Sequence, residues 1–296
     1  MALFYKISNL LKCKQKYYNY CKSSIGDITL KKNHESYISC NRYNNIQKEV
    51  SERFSNPPKI TNKCISRYNE LQHDKSIKKI ITWNVQELWW YCYKGNKINN
   101  IINYIVNSDA DVICLQEVFE PRSIWKIVNN NAVFSKYPHF LTGNMRNRFF
   151  IGENSGILVL SKKPIIFHQF TPFLYSKCPD SYASKGALYF SIDEYNFITT
   201  HLQSERPTLA ASQLEYILRK SPFNNKTILL GDLNFENPFS LLNQAPNNIF
   251  HTHNSNRMLD HIISVNKDID LTTFVDHINL KNVSDHFPVH GEICSI

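Results

Sequence analysis

Long apolar runs are missing from this chain of 296 residues. No uninterrupted stretch approaches the roughly 18–20 apolar residues that a membrane-spanning helix needs. Lys6 and Asn9 stand where a signal peptide would carry its apolar region, so the expectation is an intracellular protein, at most peripheral to a membrane. Paired cysteines are missing too. The eight cysteines, at 13, 21, 40, 64, 92, 114, 178 and 294, contain no Cys-x-x-Cys and no Cys/His pairing at zinc-site spacing, which argues against structural zinc. A reducing compartment fits this usage, although the even count leaves disulfides open. Cys114, inside the apolar run Asp111–Leu115, reads as a small core residue. No internal repeat is visible. Glycine is scarce while Asn, Ile, Lys and Tyr are frequent, a bias that an AT-rich coding sequence would produce and that carries little functional weight.

Charge is distributed unevenly. Residues 1–76 hold 14 Lys or Arg against 6 Asp or Glu, which is +8 of the chain's net +9. The remainder is close to neutral, whereas a protein gripping duplex DNA mainly through its phosphates would carry a basic excess on its catalytic part. Leu3, Phe4, Ile7, Leu10 and Leu11 fall on one helical stripe beside Lys6, Lys12, Lys14 and Lys16. That is the pattern of a basic amphipathic helix over residues 1–16 that could lie on an anionic membrane, an ordinary packed helix or a frayed tail being the alternative. Residues 20–76 are polar, rich in Asn, Ser and Lys and broken by Asn56-Pro57-Pro58, and read as an arm or linker.

From Lys78 onward the pattern changes, and residues 77–296 read as the catalytic domain. The spacing predicts strands over 80–85, 111–118, 156–161, 186–192, 196–202, 227–230, 259–265 and 287–293, and helices over 97–106, 123–129 and 208–219. Strand runs with few helices between them argue for hairpins rather than a repeating βαβ wheel. The expected class is α+β: a four-layer sandwich of two mainly antiparallel sheets packed face to face, with outer helices.

Acidic and amide side chains stand where these strands end: Asn84, Glu117, Asp232 and Asn234. Hard oxygen donors suit Mg²⁺ better than Zn²⁺, with Mn²⁺ as a substitute. Since Mg²⁺ keeps several waters and takes one or two carboxylates, Glu117 alone suffices as a committed ligand. Each residue by itself would be ordinary loop chemistry; their order along the chain is what matters.

Trp83-Asn84-Val85, Gln116-Glu117, Asp180 to Leu188, Thr200-His201-Leu202-Gln203, Gly231-Asp232-Leu233-Asn234, Leu259-Asp260-His261 and Ser284-Asp285-His286 follow one another. Together they resemble the endonuclease/exonuclease/phosphatase superfamily, of deoxyribonuclease I-like fold, and within it the neutral sphingomyelinases. The resemblance implies that Glu117 is the principal Mg²⁺ ligand, helped by Asn84, with Asp285 at the metal site. Asp232 and Asn234 would position the water and the phosphate. His286 would be the general base, a role that an imidazole of ordinary pKa about 6.5 can fill near neutral pH. Asp260 would orient it and His201 would bond the phosphate or the leaving oxygen. His261 and His290 match no catalytic motif and read as structural.

Asp180 followed by Lys185-Gly186 resembles the Asp/Lys switch of neutral sphingomyelinases, with Lys185 meeting a phosphate oxygen and Asp180 holding or releasing it; a turn with a surface lysine is the alternative. The implied activity is cleavage of sphingomyelin to ceramide and phosphocholine. The segment between Asn234 and Asp260 is too short for a long apolar membrane hairpin, so anionic-membrane contact falls to the basic arm. A Mg²⁺-dependent nuclease acting on DNA or RNA is the second reading. An inactive interaction module is the third, and the intact Glu117, Asp232, Asn234, Asp260 and His286 argue against it.

Overall fold

A computed structural model describes residues 77–88, 96–143, 154–244, 250–277 and 283–294. All belong to the unit Ser76–Ile296. The expectations for the basic arm and its amphipathic stretch lie outside the described residues.

In chain order the elements are β1 (Lys79–Glu87), α1 (Lys97–Asn107), β2 (Val112–Val118), α2 (Pro121–Val128), α3 (Asn131–Lys136), β3 (His139–Thr142), β4 (Leu158–Ser161), β5 (Phe167–Pro172), β6 (Gly186–Ile192), β7 (Tyr195–His201), α4 (Pro207–Lys220), β8 (Thr227–Asp232), β9 (Asp260–Ser264), β10 (Leu271–Val275) and β11 (Val289–Ile293). One sheet runs β10-β11-β1-β2-β4-β3 and the other β5-β6-β7-β8-β9. Each holds a single parallel pair, β1 with β2 and β7 with β8; the remaining pairs are antiparallel.

The central strands are apolar on both faces because both faces are covered. Ile80, Val112, Cys114 and Val159 of the first sheet pack with Leu188, Phe190, Phe197, Ile228 and Leu230 of the second. On the outer face of the first sheet, Ile81, Trp83, Ile113 and Leu115 meet Ile98, Ile101, Ile102 and Ile105 of α1, which recur at the helical i, i+3, i+4, i+7 spacing. The second sheet's outer face, with Tyr189, Ile198 and Leu229, takes Ala210, Leu214 and Ile217 of α4. Each fully buried Ile, Leu or Phe contributes about 1.5–3 kcal/mol. The result is the expected helix–sheet–sheet–helix sandwich.

Helix starts follow local rules. Glu120 caps α2 by accepting from the Ser123 backbone N–H at 2.8 Å, and Pro stands in the first turn of α2 and α4, where a missing N–H costs nothing. Three strands and one helix were not expected: β3, β5, β10 and α3. β5 and β10 are edge strands, half exposed and without a continuous apolar run. No described helix is long and apolar enough to cross a membrane.

Candidate active site

Parallel strands end on the same side, and antiparallel neighbours begin there. Asn84 and Glu117 lie near the ends of β1 and β2, His201 and Asp232 close β7 and β8, Asp260 opens β9, and Lys185 and His286 precede β6 and β11. Register makes this quantitative, because His201 pairs with Asp232 and Asp232 pairs with Asp260 across three adjacent strands. The strands expected over 80–85 and 111–118 already held Asn84 and Glu117; β8, expected over 227–230, runs on to Asp232.

The backbone is strained where it turns these groups inward. Glu117 has φ 59° and Asn234 φ 55°, in the left-handed region that non-glycine residues seldom occupy. Gly231 has φ 144°, and a Cβ there would stand 2.0 Å from the Thr200 carbonyl oxygen. The glycine of Gly231-Asp232 is thus set by close strand contact.

His286 is buried, and its Nδ1 lies 2.7 Å from Asp260 Oδ2. Its Nε2 consequently faces Asp232 Oδ2 at 3.7 Å and Asp285 Oδ1 at 4.0 Å. Burial works against a charged ring here, but the carboxylates of Asp260, Asp232 and Asp285 outweigh it and raise the His286 pKa. Asp232 is raised mainly by burial, against the pull of His286.

Asn84 Nδ2 donates to Glu117 Oε1 at 3.0 Å and to Asp232 Oδ2 at 2.9 Å. Burial raises the Glu117 pKa, with Asn84 and Lys185 acting the other way. Glu117, His201 and Asp232 bring ligand atoms within 4.8 Å of one another, as do His253, Asp285 and His286. These residues fit a divalent cation. Two carboxylates, buried Asp232 and half-buried Glu117, share one amide, and Asp285 Oδ1 and Asp260 Oδ1 are buried without a hydrogen-bond partner, an excess of negative charge that a cation would offset. Asp285 stands with His253 and His286, the end of the cluster away from the Glu117 group.

Lys185 is buried beside the cluster. Its residue is 3% exposed, and the ammonium meets Asp180 Oδ1 at 2.9 Å, the Leu202 carbonyl at 3.1 Å and His201 Nε2 at 3.1 Å. The turn with a surface lysine is therefore not what forms. Burial, with Lys185 adding to it, holds His201 neutral and well below the usual histidine range. His201 Nε2 also looks toward Asp232 Oδ2 at 3.5 Å and Glu117 Oε1 at 3.8 Å. Asn234 Nδ2 donates to the Leu202 carbonyl at 3.0 Å, the same oxygen that Lys185 uses. All ten residues singled out in the sequence thus join one connected cluster.

Comparison with known proteins follows this geometry. The profile of the endonuclease/exonuclease/phosphatase family matches residues 81–286. The chain belongs to that family. It is accordingly an enzyme of the phosphodiester hydrolase class. Among solved structures, sphingomyelinase C from Streptomyces griseocarneus is 17% identical, with 74% of this chain and 99% of that one covered and a TM-score of 0.58. A beta toxin variant from Staphylococcus aureus with bound magnesium ions is 18% identical, with 73% and 99% covered and a TM-score of 0.59. D. rerio TDP2 complexed with a single-strand DNA product is 16% identical, with 75% and 100% covered and a TM-score of 0.53. At these identities the likeness carries the fold. A search of curated proteins gives no significant match.

Within this family frame, several supporting residues escaped the sequence reading. Gln86 Nε2 donates to Asp285 Oδ2 at 2.7 Å. His253 lies 3.5 Å from the same oxygen, and its ring meets His286 edge-on at 4.7 Å. Ser284 Oγ donates to the Asn84 carbonyl at 2.6 Å and accepts from the His286 N–H at 3.1 Å. Thr252 Oγ1 accepts from the backbone N–H groups of Leu259 and Asp260 at 2.9 and 3.0 Å. Ser284 adjoins Asp285 and His286, which could have drawn attention to it; Gln86 and His253 carry no sequence signal.

Proposed function

We propose that the chain is a Mg²⁺-dependent phosphodiesterase that cleaves a phospholipid headgroup in the manner of a neutral sphingomyelinase, releasing phosphocholine from sphingomyelin. The observation that carries this reading is the buried Lys185–Asp180 pair set against His201. It brings the Asp/Lys element of the sphingomyelinase resemblance into contact with the hydrolytic cluster. The likeness to sphingomyelinase C and to magnesium-bound beta toxin supports it, as does the near-neutral charge of residues 77–296.

In this reading Glu117 and Asn84 hold Mg²⁺, with Asp285 at the His286 end. When bound, the ion supplies positive charge to the phosphodiester. The chain's own residues do the rest. Asp260 fixes His286 through Nδ1. With a cation offsetting the carboxylates that raise its pKa, an unprotonated Nε2 would take the proton from water. As it does so the water oxygen bonds to phosphorus, the bond to the ceramide oxygen breaks and that oxygen takes a proton from solvent. Asp232 and Asn234 place the water and the phosphate. His201 bonds a phosphoryl or leaving oxygen, and Lys185 fixes the His201 ring through Nε2.

The test is Mg²⁺-dependent release of phosphocholine from sphingomyelin in mixed liposomes, beside a supercoiled-plasmid nicking assay on the same preparation, with His286→Ala as control. Lipid cleavage without nicking, lost in the variant, is the expected result. Nicking without lipid cleavage would replace this reading by the nuclease one.

A further inference from the structure

Asp180 and Lys185 belong to the connection between β5 and β6, and the other end of that connection shows an unusual surface. Leu174 is 84% exposed, Tyr175 57% and Tyr182 51%. Exposed large apolar side chains gathered on one segment mark a contact surface rather than chance. The segment does not fold back over them, because it is fastened from beneath. The Phe173 N–H bonds the Lys185 carbonyl at 3.0 Å and closes the base. Gln213 Nε2 holds the Tyr175 carbonyl at 2.9 Å, Gln203 Oε1 holds the Lys177 N–H at 2.7 Å, and Asp180 Oδ2 holds the Ser204 N–H at 2.6 Å.

We propose that Leu174, Tyr175 and Tyr182 form a lipid-surface contact that seats the active site on a bilayer. The proposal rests on the phospholipid reading above and deepens it. Two observations favour a bilayer over another occupant. Tyrosine suits the headgroup level, where its ring is buried and its hydroxyl stays wet. Charge is complementary as well: across 173–184 the acid, Asp180, is turned inward onto Lys185, and Lys177 is the exposed cation beside the tips, suited to phosphate. The same loop that meets the bilayer carries Asp180 and Lys185 into the site, so a headgroup at that depth lies beside the cluster.

The experiment uses the full chain and vesicles of phosphatidylcholine and sphingomyelin without anionic lipid, at about 1 M salt, where charge attraction reaches only about 3 Å. Cosedimentation gives the partition constant, and turnover of soluble bis-p-nitrophenyl phosphate reports the site alone. The double variant Leu174→Ser, Tyr175→Ser should lose roughly thirtyfold or more of the partition constant, from the apolar burial removed. Its turnover of the soluble diester should stay at the parental value. Ile166→Ser is the control, since Ile166 is 70% exposed but precedes the opposite end of β5; it should partition normally.

Equal partition of the double variant and the parent, or an equal loss in the Ile166 control, would overturn the proposal. So would a parent that does not partition at all. A self-association constant that the double variant abolishes in sedimentation velocity would assign the surface to a second copy of the chain and overturn it likewise. Loop-dependent partition without sphingomyelin cleavage would leave this surface standing and remove the sphingomyelinase reading.

Discussion

Lys185 and Leu174 lie eleven residues apart and are buried the wrong way round: the cation is 3% exposed and the leucine 84%. The two regions they stand for, the polar floor of the site and the apolar tip of its loop, both run against the ordinary partition of side chains between core and water. The floor tolerates Lys185 and His286 because Asp180 and Asp260 answer them; Glu117 and Asp232 share only the Asn84 amide, and the negative charge left over is what a cation would offset. The tip has no such answer among the described residues. A buried charge that is paired describes a finished site, whereas exposed apolar surface on a fastened loop describes one half of an interface.

Breaking the floor should have the largest effect. Glu117→Ala and His286→Ala should each lower kcat/KM about 10³-fold or more, with the circular dichroism spectrum and melting curve retained; near-normal activity in saturating Mg²⁺ would remove either residue from its role. Dialysis against a chelator should cut turnover to background in the parent, and added Mg²⁺, or Mn²⁺ in its place, should restore it. Full activity in a chelated preparation, with metal content checked by elemental analysis, would contradict the cation reading.

The paired charges give an asymmetric prediction. Asp180→Ala leaves the deeper Lys185 ammonium without its counter-charge and should cost about 3–5 kcal/mol in urea unfolding. Lys185→Met leaves the shallower Asp180, 11% exposed against 1% for the lysine side chain, and should cost less. Equal costs, or a larger one for the lysine, would show that the pair is not a buried floor.

A smaller effect sharpens the contrast between charges that are answered and a group kept neutral. His261, bonded to the Phe235 carbonyl at 3.1 Å, is pushed down to about 4 chiefly by burial. Its folded pKa lies below the unfolded value, so the unfolded chain takes up the proton first. Stability from this residue is full above about pH 6.5 and is lost as pH falls toward 4, on the order of 3 kcal/mol in all. His261→Gln should flatten that part of the stability–pH profile; an unchanged slope would place the acid sensitivity elsewhere.

Much of the fold was legible because the central strands are covered on both sides and so read as apolar runs, as in Val112–Leu115 and Thr227–Leu230. Edge strands were not, since β5 and β10 mix polar and apolar residues at half-exposed positions. The short α3 was missed for lack of an apolar stripe. The site was legible for a related reason. Asn84, Glu117, Asp232 and Asp260 are polar residues at the ends of apolar runs, positions that a core would not accept without partners. The partners themselves were illegible, because Gln86, His253 and Ser284 differ from ordinary loop residues only in what they touch.

By itself the sequence determined the two-sheet sandwich, since alternation of burial is a local property, and it supplied the order of polar motifs on which the family resemblance rests. Tertiary structure decided where each charge lies. It buried Lys185 against Asp180 and His201, paired His286 with Asp260 across 26 residues of chain, grouped Asp285 with His253, and left Leu174 and Tyr175 in solvent. Burial and pairing depend on neighbours brought from distant strands, and no window of sequence contains them.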